Sequence, residues 1–127
     1  MQNKTSPFRR KIETLYHRLK FAEVVSLAYP KVKANPTDHE LVTLLGRAFM
    51  ELGSHQNAIV CFQQNLANNF ESADTFCDLG DALKANKQLE DAMACYNRAI
   101  QVDPHHYRSF MQLGFLVAQF NRHDLAI

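Results

Sequence analysis

The stretch Ala73–His106, ADTFCDLGDALKANKQLEDAMACYNRAIQVDPHH, decides the fold. Its first half sets Phe76, Leu79, Gly80 and Leu83 at i, i+3, i+4 and i+7, one stripe of an α-helix. Asn86-Lys87 makes a polar break. The second half sets Ala92, Tyr96, Ala99 and Ile100 at i, i+4, i+7 and i+8, and Asp103-Pro104 closes it. Two amphipathic helices joined by a short turn predict an antiparallel hairpin.

The hairpin recurs. Leu79-Gly80 is preceded by Leu45-Gly46 and followed by Leu113-Gly114, each step being 34 residues. Around the earlier pair, His39–Ser72 offers Val42, Phe49, Gly53, Ala58 and Phe62. Around the later one, Tyr107 onward offers Phe110, Val117 and Ala126. Thr5–Asp38 is a weaker copy. Phe8, Leu15, Phe21 and Pro36 keep the register, Lys11-Ile12 replaces Leu-Gly, and Val24 replaces the small residue of the second helix. Pro30 falls inside that second helix, where it is expected to kink or end it at a cost of about 3 kcal/mol.

A mid-helix glycine costs roughly 1 kcal/mol relative to alanine. Its recurrence at 46, 80 and 114 implies close approach of a second helix. Ala58 and Ala92 are the small residues expected to face it, and Phe76 and Tyr96 are expected to fill the space between hairpins.

A period of about 34 residues with this pattern resembles the tetratricopeptide repeat family. The resemblance implies an all-α chain, a right-handed α-solenoid of about three and a half antiparallel hairpins (about seven helices). The expected repeats are 5–38 (degenerate), 39–72, 73–106 and 107–127 (truncated), together one array over residues 1–127. Asn65 stands where a small residue is usual and Phe70 where proline is usual.

Composition agrees with such a chain. Of 127 residues 46% are hydrophobic and 21% charged, and four glycines and four prolines suit long helices better than a turn-rich β fold. A net charge of +1 supplies no global field for nucleic acid or an anionic membrane. No apolar run suggests a secretory signal or a membrane span. Three cysteines without C-x-x-C spacing read as reduced packing residues in a cytoplasmic protein.

The resemblance also implies that the first helices of successive hairpins line a concave groove that binds a peptide or protein segment. Groove candidates are Arg9 and Glu13; Thr43 and Arg47; Asp74, Asp78 and Asp81; and Gln112 and Phe115. Asp74, Asp78 and Asp81 form an acidic stripe at i, i+4 and i+7, read either as a solvated helix face or as a site for a basic partner segment. On the second reading, changing Asp78 and Asp81 to lysine is expected to leave folding nearly untouched. Met111 and Phe115 are read either as exposed apolar anchors or, the preferred reading, as residues covered by a continuation of the chain.

Two groove chemistries of the family fail here. The places of a carboxylate clamp read Arg9, Glu13, Arg47, Asp74 and Asp78, three of them acidic. The places of an asparagine ladder read Arg10, Leu44, Asp78 and Gln112.

His105-His106 has no second ligand pair at metal spacing and reads as a surface loop. No serine, histidine and acid combination has motif spacing, and no glycine-rich phosphate loop appears. No enzyme and no cofactor is therefore expected. The sequence ends at Asp124–Ile127, one turn into an expected second helix that begins near Ala126. This arrangement would leave Phe110, Leu113 and Val117 uncovered, and such a surface predicts self-association.

The functional expectation is a protein-binding scaffold, the N-terminal repeat part of a larger protein. The alternatives are a free-standing chaperone similar to type III secretion chaperones, or the substrate-recruiting region of a glycosyltransferase or sulfotransferase.

Overall fold

The computed structural model describes residues 6–125, with side chains described through Asn121. Among the described residues the chain is all-α, and seven helices fall into two compact units, 1–70 and 71–127. The first holds α1 (Pro7–His17), α2 (Phe21–Ala34), α3 (His39–Glu51) and α4 (His55–Ala67). The second holds α5 (Ala73–Ala85), α6 (Leu89–Val102) and α7 (Tyr107–Leu125).

Local chemistry sets the helix starts. Ser6, Asp38 and Ser72 are N-caps whose side chains accept from the backbone N–H of Arg9, Leu41 and Thr75, and Pro7 stands at the start of α1. The stops of α1, α3, α4 and α5 are left-handed residues. Leu19, Gly53, Asn69 and Lys87 have φ of 63°, 79°, 66° and 67°. After each, the next residue's N–H reaches back five residues to a helical carbonyl, as Ser54 does to Phe49 and Gln88 to Leu83. This C-terminal cap satisfies carbonyls that the helix leaves open. Only at 53 does glycine supply the positive φ; the other positions hold side chains there at a cost of about 1 kcal/mol or more.

The first unit's core is Ile12, Val24, Ala28, Val42, Leu45, Ala48, Ala58 and Phe62, each at most 1% exposed. Pro30 does not end α2, which continues to Ala34. Val24, Ala28 and Val32 bury one side of the helix, while Ser26 and Pro30 lie on its exposed side. The Ser26 carbonyl that proline deprives of a partner therefore faces water. Phe70, in place of the usual proline, stacks on His39 with ring centroids 3.7 Å apart. Asn65 is fully buried and donates to Thr43 Oγ1 (3.0 Å) and the His39 carbonyl (3.4 Å).

The recurrent glycines do admit a neighbouring helix, but the occupant is an aromatic ring. A Cβ built on Gly46 would lie 2.6 Å from Phe62 Cε1, and one on Gly80 would lie 2.6 Å from Tyr96 Cε1. Tyr96 thus fills the inside of its own hairpin, correcting its expected place between hairpins. It is fully buried, and its hydroxyl donates to Asp81 (2.6 Å).

Gly114 differs: nothing lies within 4 Å of its added Cβ. The turn expected after α7's first half is also missing, because the helix continues through Asn121 to Leu125. Half-buried Phe120 lies beside the Lys87–Asp91 turn and supports the continuation. Ala126, expected to begin a further helix, lies outside the described residues.

Candidate functional site

The candidate groove residues divide between the two units. In the first, Arg9 on α1 reaches the acids at the start of α3. Its Nη2 donates to both Asp38 oxygens (2.9 and 3.1 Å), and its Nη1 is paired with Glu40. The side chain is only 18% exposed. Among the described residues Arg9 Nε and Asn65 Oδ1 are buried without a hydrogen-bond partner. Thr43 donates to the His39 carbonyl (2.8 Å) and accepts from Asn65. Glu13 and Arg47 are half-buried. Arg9 and Thr43 therefore serve the packing of this unit as much as its surface.

In the second unit, α5 and α7 are joined by a ladder of polar pairs. His106 Nε2 meets Asp74 Oδ1 at 2.7 Å, and Arg108 Nη2 donates to Asp78 at 2.7 Å and to Asp81 at 3.3 Å. Lys84 donates to Gln112. Asp78, placed by the sequence on an open groove face, has a side chain only 7% exposed; Asp74 is 67% exposed and Asp81 27%. A buried carboxylate requires a charged or hydrogen-bonding partner, and Arg108 supplies one. The three acids are thus structural partners of α7, and the expectation that Asp78 could become lysine without effect on folding is corrected. Cys77, between them on α5, is fully buried.

The fold also assembles residues that no short motif linked. His106 Nδ1 lies 2.7 Å from Ser109 Oγ while its Nε2 holds Asp74. The histidine, read as part of a surface loop, is instead a staple between the starts of α5 and α7. An acid, a histidine and a serine in line evoke a nucleophile. Ser109 is fully buried, however, so a substrate could not reach its hydroxyl. The one available sequence signal was the spacing of these pairs, 27 to 32 residues, one repeat less up to two helical turns.

The thiols are similarly passive. Burial pushes Cys61 and Cys95 up to about 11, and it also raises Cys77 despite the Ser109 hydroxyl beside it. A protonated thiol is a poor nucleophile. Burial, followed by the hydrogen bond to Asp81, raises Tyr96 beyond its ordinary range. Among the described residues no three His, Cys, Asp or Glu side chains lie close enough to hold a metal, and no helix is long and apolar enough to cross a membrane.

Beside the ladder, α7 carries Met111 and Phe115, which are 42% and 59% exposed. They adjoin Arg108 and Gln112 on the helix surface.

Hairpins with a ring seated on a mid-helix glycine, recurring every 34 residues, agree with the comparison to known families. Residues 73–106 and 39–67 each match a model described as tetratricopeptide repeat. This chain is a tetratricopeptide repeat protein.

A curated relative is anaphase-promoting complex subunit 3 of Schizosaccharomyces pombe, 28% identical over 114 residues. The match takes in 88% of this tetratricopeptide chain but only 17% of the relative's length. Among solved structures, the first such domain of Spaghetti (RPAP3), bound to the HSP90 peptide SRMEEVD, superposes with a TM-score of 0.84 at 19% identity, covering 90% of each chain. MamA from Desulfovibrio magneticus RS-1 also gives 0.84 at 19% identity, covering 94% of this chain and 68% of that one. At these identities the structural likeness establishes the fold.

Proposed function

We propose that this chain is a protein-interaction module that holds a segment of a partner protein against α5 and α7, with Met111 and Phe115 as apolar anchors. The observation that carries this reading is the exposure of those two side chains beside a ladder in which Asp78 and Asp81 are already held by Arg108. Aromatic and methionine side chains concentrate binding energy at interfaces. Asp78 and Asp81 already accept from Arg108, so apolar contact dominates over recruitment of a basic segment.

The Spaghetti domain's peptide and the naming of the S. pombe relative as a complex subunit both support an interaction role. The relative also favours a narrower reading, in which this segment joins a multiprotein assembly as part of a longer protein. An acid-ended peptide such as SRMEEVD fits poorly. The clamp places hold Glu13, Asp74 and Asp78, and Arg9 is already engaged by Asp38 and Glu40.

A displayed peptide library panned on the chain tests the proposal. Enriched peptides are expected to carry apolar side chains, to lose about tenfold or more in affinity with Phe115→Ala, and to exclude SRMEEVD. Enrichment of lysine- and arginine-rich peptides indifferent to Phe115→Ala would overturn it.

A further inference from the structure

The exposed side of α7 has a shape that the peptide reading does not use. At 100° per residue, Tyr107, Phe110, Met111, Phe115 and Val117 fall within an arc of about 160°. They are 74%, 49%, 42%, 59% and 39% exposed. The opposite side carries Ser109 and Leu116, both fully buried. Gly114 and Ala118 lie near the middle of the exposed arc, with Val117 and Phe110 to one side, Met111 and Phe115 to the other, and Tyr107 in line with them only at the start of the helix, so the face is hollow from Phe110 to Ala118. The equivalent glycines, Gly46 and Gly80, are each roofed by an aromatic ring, whereas Gly114 is bare.

We propose that this face pairs with the same face of a second copy of the chain, as an antiparallel helix pair whose two-fold axis passes Gly114. Self-complementarity is what a two-fold contact demands, and three observations meet it. The first is shape. Residues 110 and 118 are equidistant from 114, so Phe110 of each copy lies over Ala118 of the other while Gly114 lets the backbones approach.

The second is charge. From Tyr107 to Asn121 the helix has no acid and one base, Arg108, which is turned onto Asp78 and Asp81. Two such faces meet without like-charge repulsion. The third is area. With about 150–250 Å² for an aromatic side chain and less for valine and methionine, the exposed fractions amount to about 500 Å² per copy. A pair would bury about 1,000 Å², enough for a specific but reversible contact and too little for an obligate dimer.

The pairing rests on α7 alone and stands independently of the peptide proposal. It shares Met111 and Phe115 with that site, so a second copy and a peptide would compete.

Sedimentation velocity over a wide dilution series tests it. The wild-type chain is expected to move from 14.6 kDa toward twice that mass as concentration rises. Gly114→Glu and Gly114→Lys place like charges across the axis. A Cβ at this position meets nothing within 4 Å among the described residues, so both should keep the helical circular dichroism and remain monomeric. An equimolar mixture of the two should associate again. A wild-type chain that stays monomeric throughout would overturn the proposal and leave the face to another protein's helix or to a longer form of this chain. Variants that dimerise as the wild type does, or a mixture that stays apart, would also overturn it.

Discussion

The same substitution at equivalent places in two hairpins should have opposite signs. In Gly80→Ala the added methyl would stand 2.6, 2.9 and 3.0 Å from Tyr96 Cε1, Cδ1 and Cζ, closer than non-bonded carbons tolerate. The ring cannot swing aside cheaply, because it is fully buried and its hydroxyl is held by Asp81. Forcing a methyl into a packed core costs about 1–3 kcal/mol, while replacing a mid-helix glycine by alanine returns about 1 kcal/mol. Gly80→Ala should therefore lose about 1 kcal/mol net. In Gly114→Ala the methyl meets nothing and only the helix gain remains, about 1 kcal/mol of stabilisation.

Urea unfolding of dilute protein should thus separate the two variants by about 2 kcal/mol, with wild type between them. Shrinking the ring with Tyr96→Leu should recover part of the Gly80→Ala loss in a double-mutant cycle. Equal midpoints for the two glycine variants would refute the ring-on-glycine account, as would a cycle without coupling.

Three further outcomes follow from the geometry. Asp78→Lys should destabilise by about 2–4 kcal/mol, since it leaves Arg108 facing a buried like charge, whereas Asp74→Ala, at an exposed carboxylate, should cost no more than about 1 kcal/mol; denaturant midpoints check both. Lys87→Gly should stabilise by about 1 kcal/mol by relieving a positive φ of 67°, read as a raised melting temperature.

Stability should also fall in alkali. The folded chain holds the Cys61 and Cys95 protons up to about 11, whereas an unfolded thiol ionises near 9.0. Their contribution is complete below about pH 9 and is lost as pH rises toward 11. The loss is on the order of 2 kcal/mol for Cys61 and less for half-buried Cys95. Urea midpoints between pH 8 and 11 should fall less steeply for Cys61→Ala with Cys95→Ala.

What could be read from the chain alone was whatever repeats within one helix or one hairpin. The Leu-Gly pairs, spaced 34 apart, marked the glycines. Periodicity assigns a residue to a side of its helix, but it does not say how far the next helix reaches. Asp78 was legible as a polar position, yet its burial depends on Arg108, 30 residues later, folding back over it. Pro30 was judged by its intrinsic cost alone. The burial of Val24, Ala28 and Val32 outweighs that cost, and this is a tertiary effect.

The staple at His106 also gives the joint between α5 and α7 a direction. The Asp74 carboxylate can only accept, so Nε2 carries the hydrogen, and in the neutral ring Nδ1 takes one from Ser109. A hydrogen bond thus enters the ring from a buried hydroxyl and leaves it toward an exposed carboxylate. The serine that no substrate could reach sets the orientation of the imidazole, and the imidazole in turn holds the start of α5.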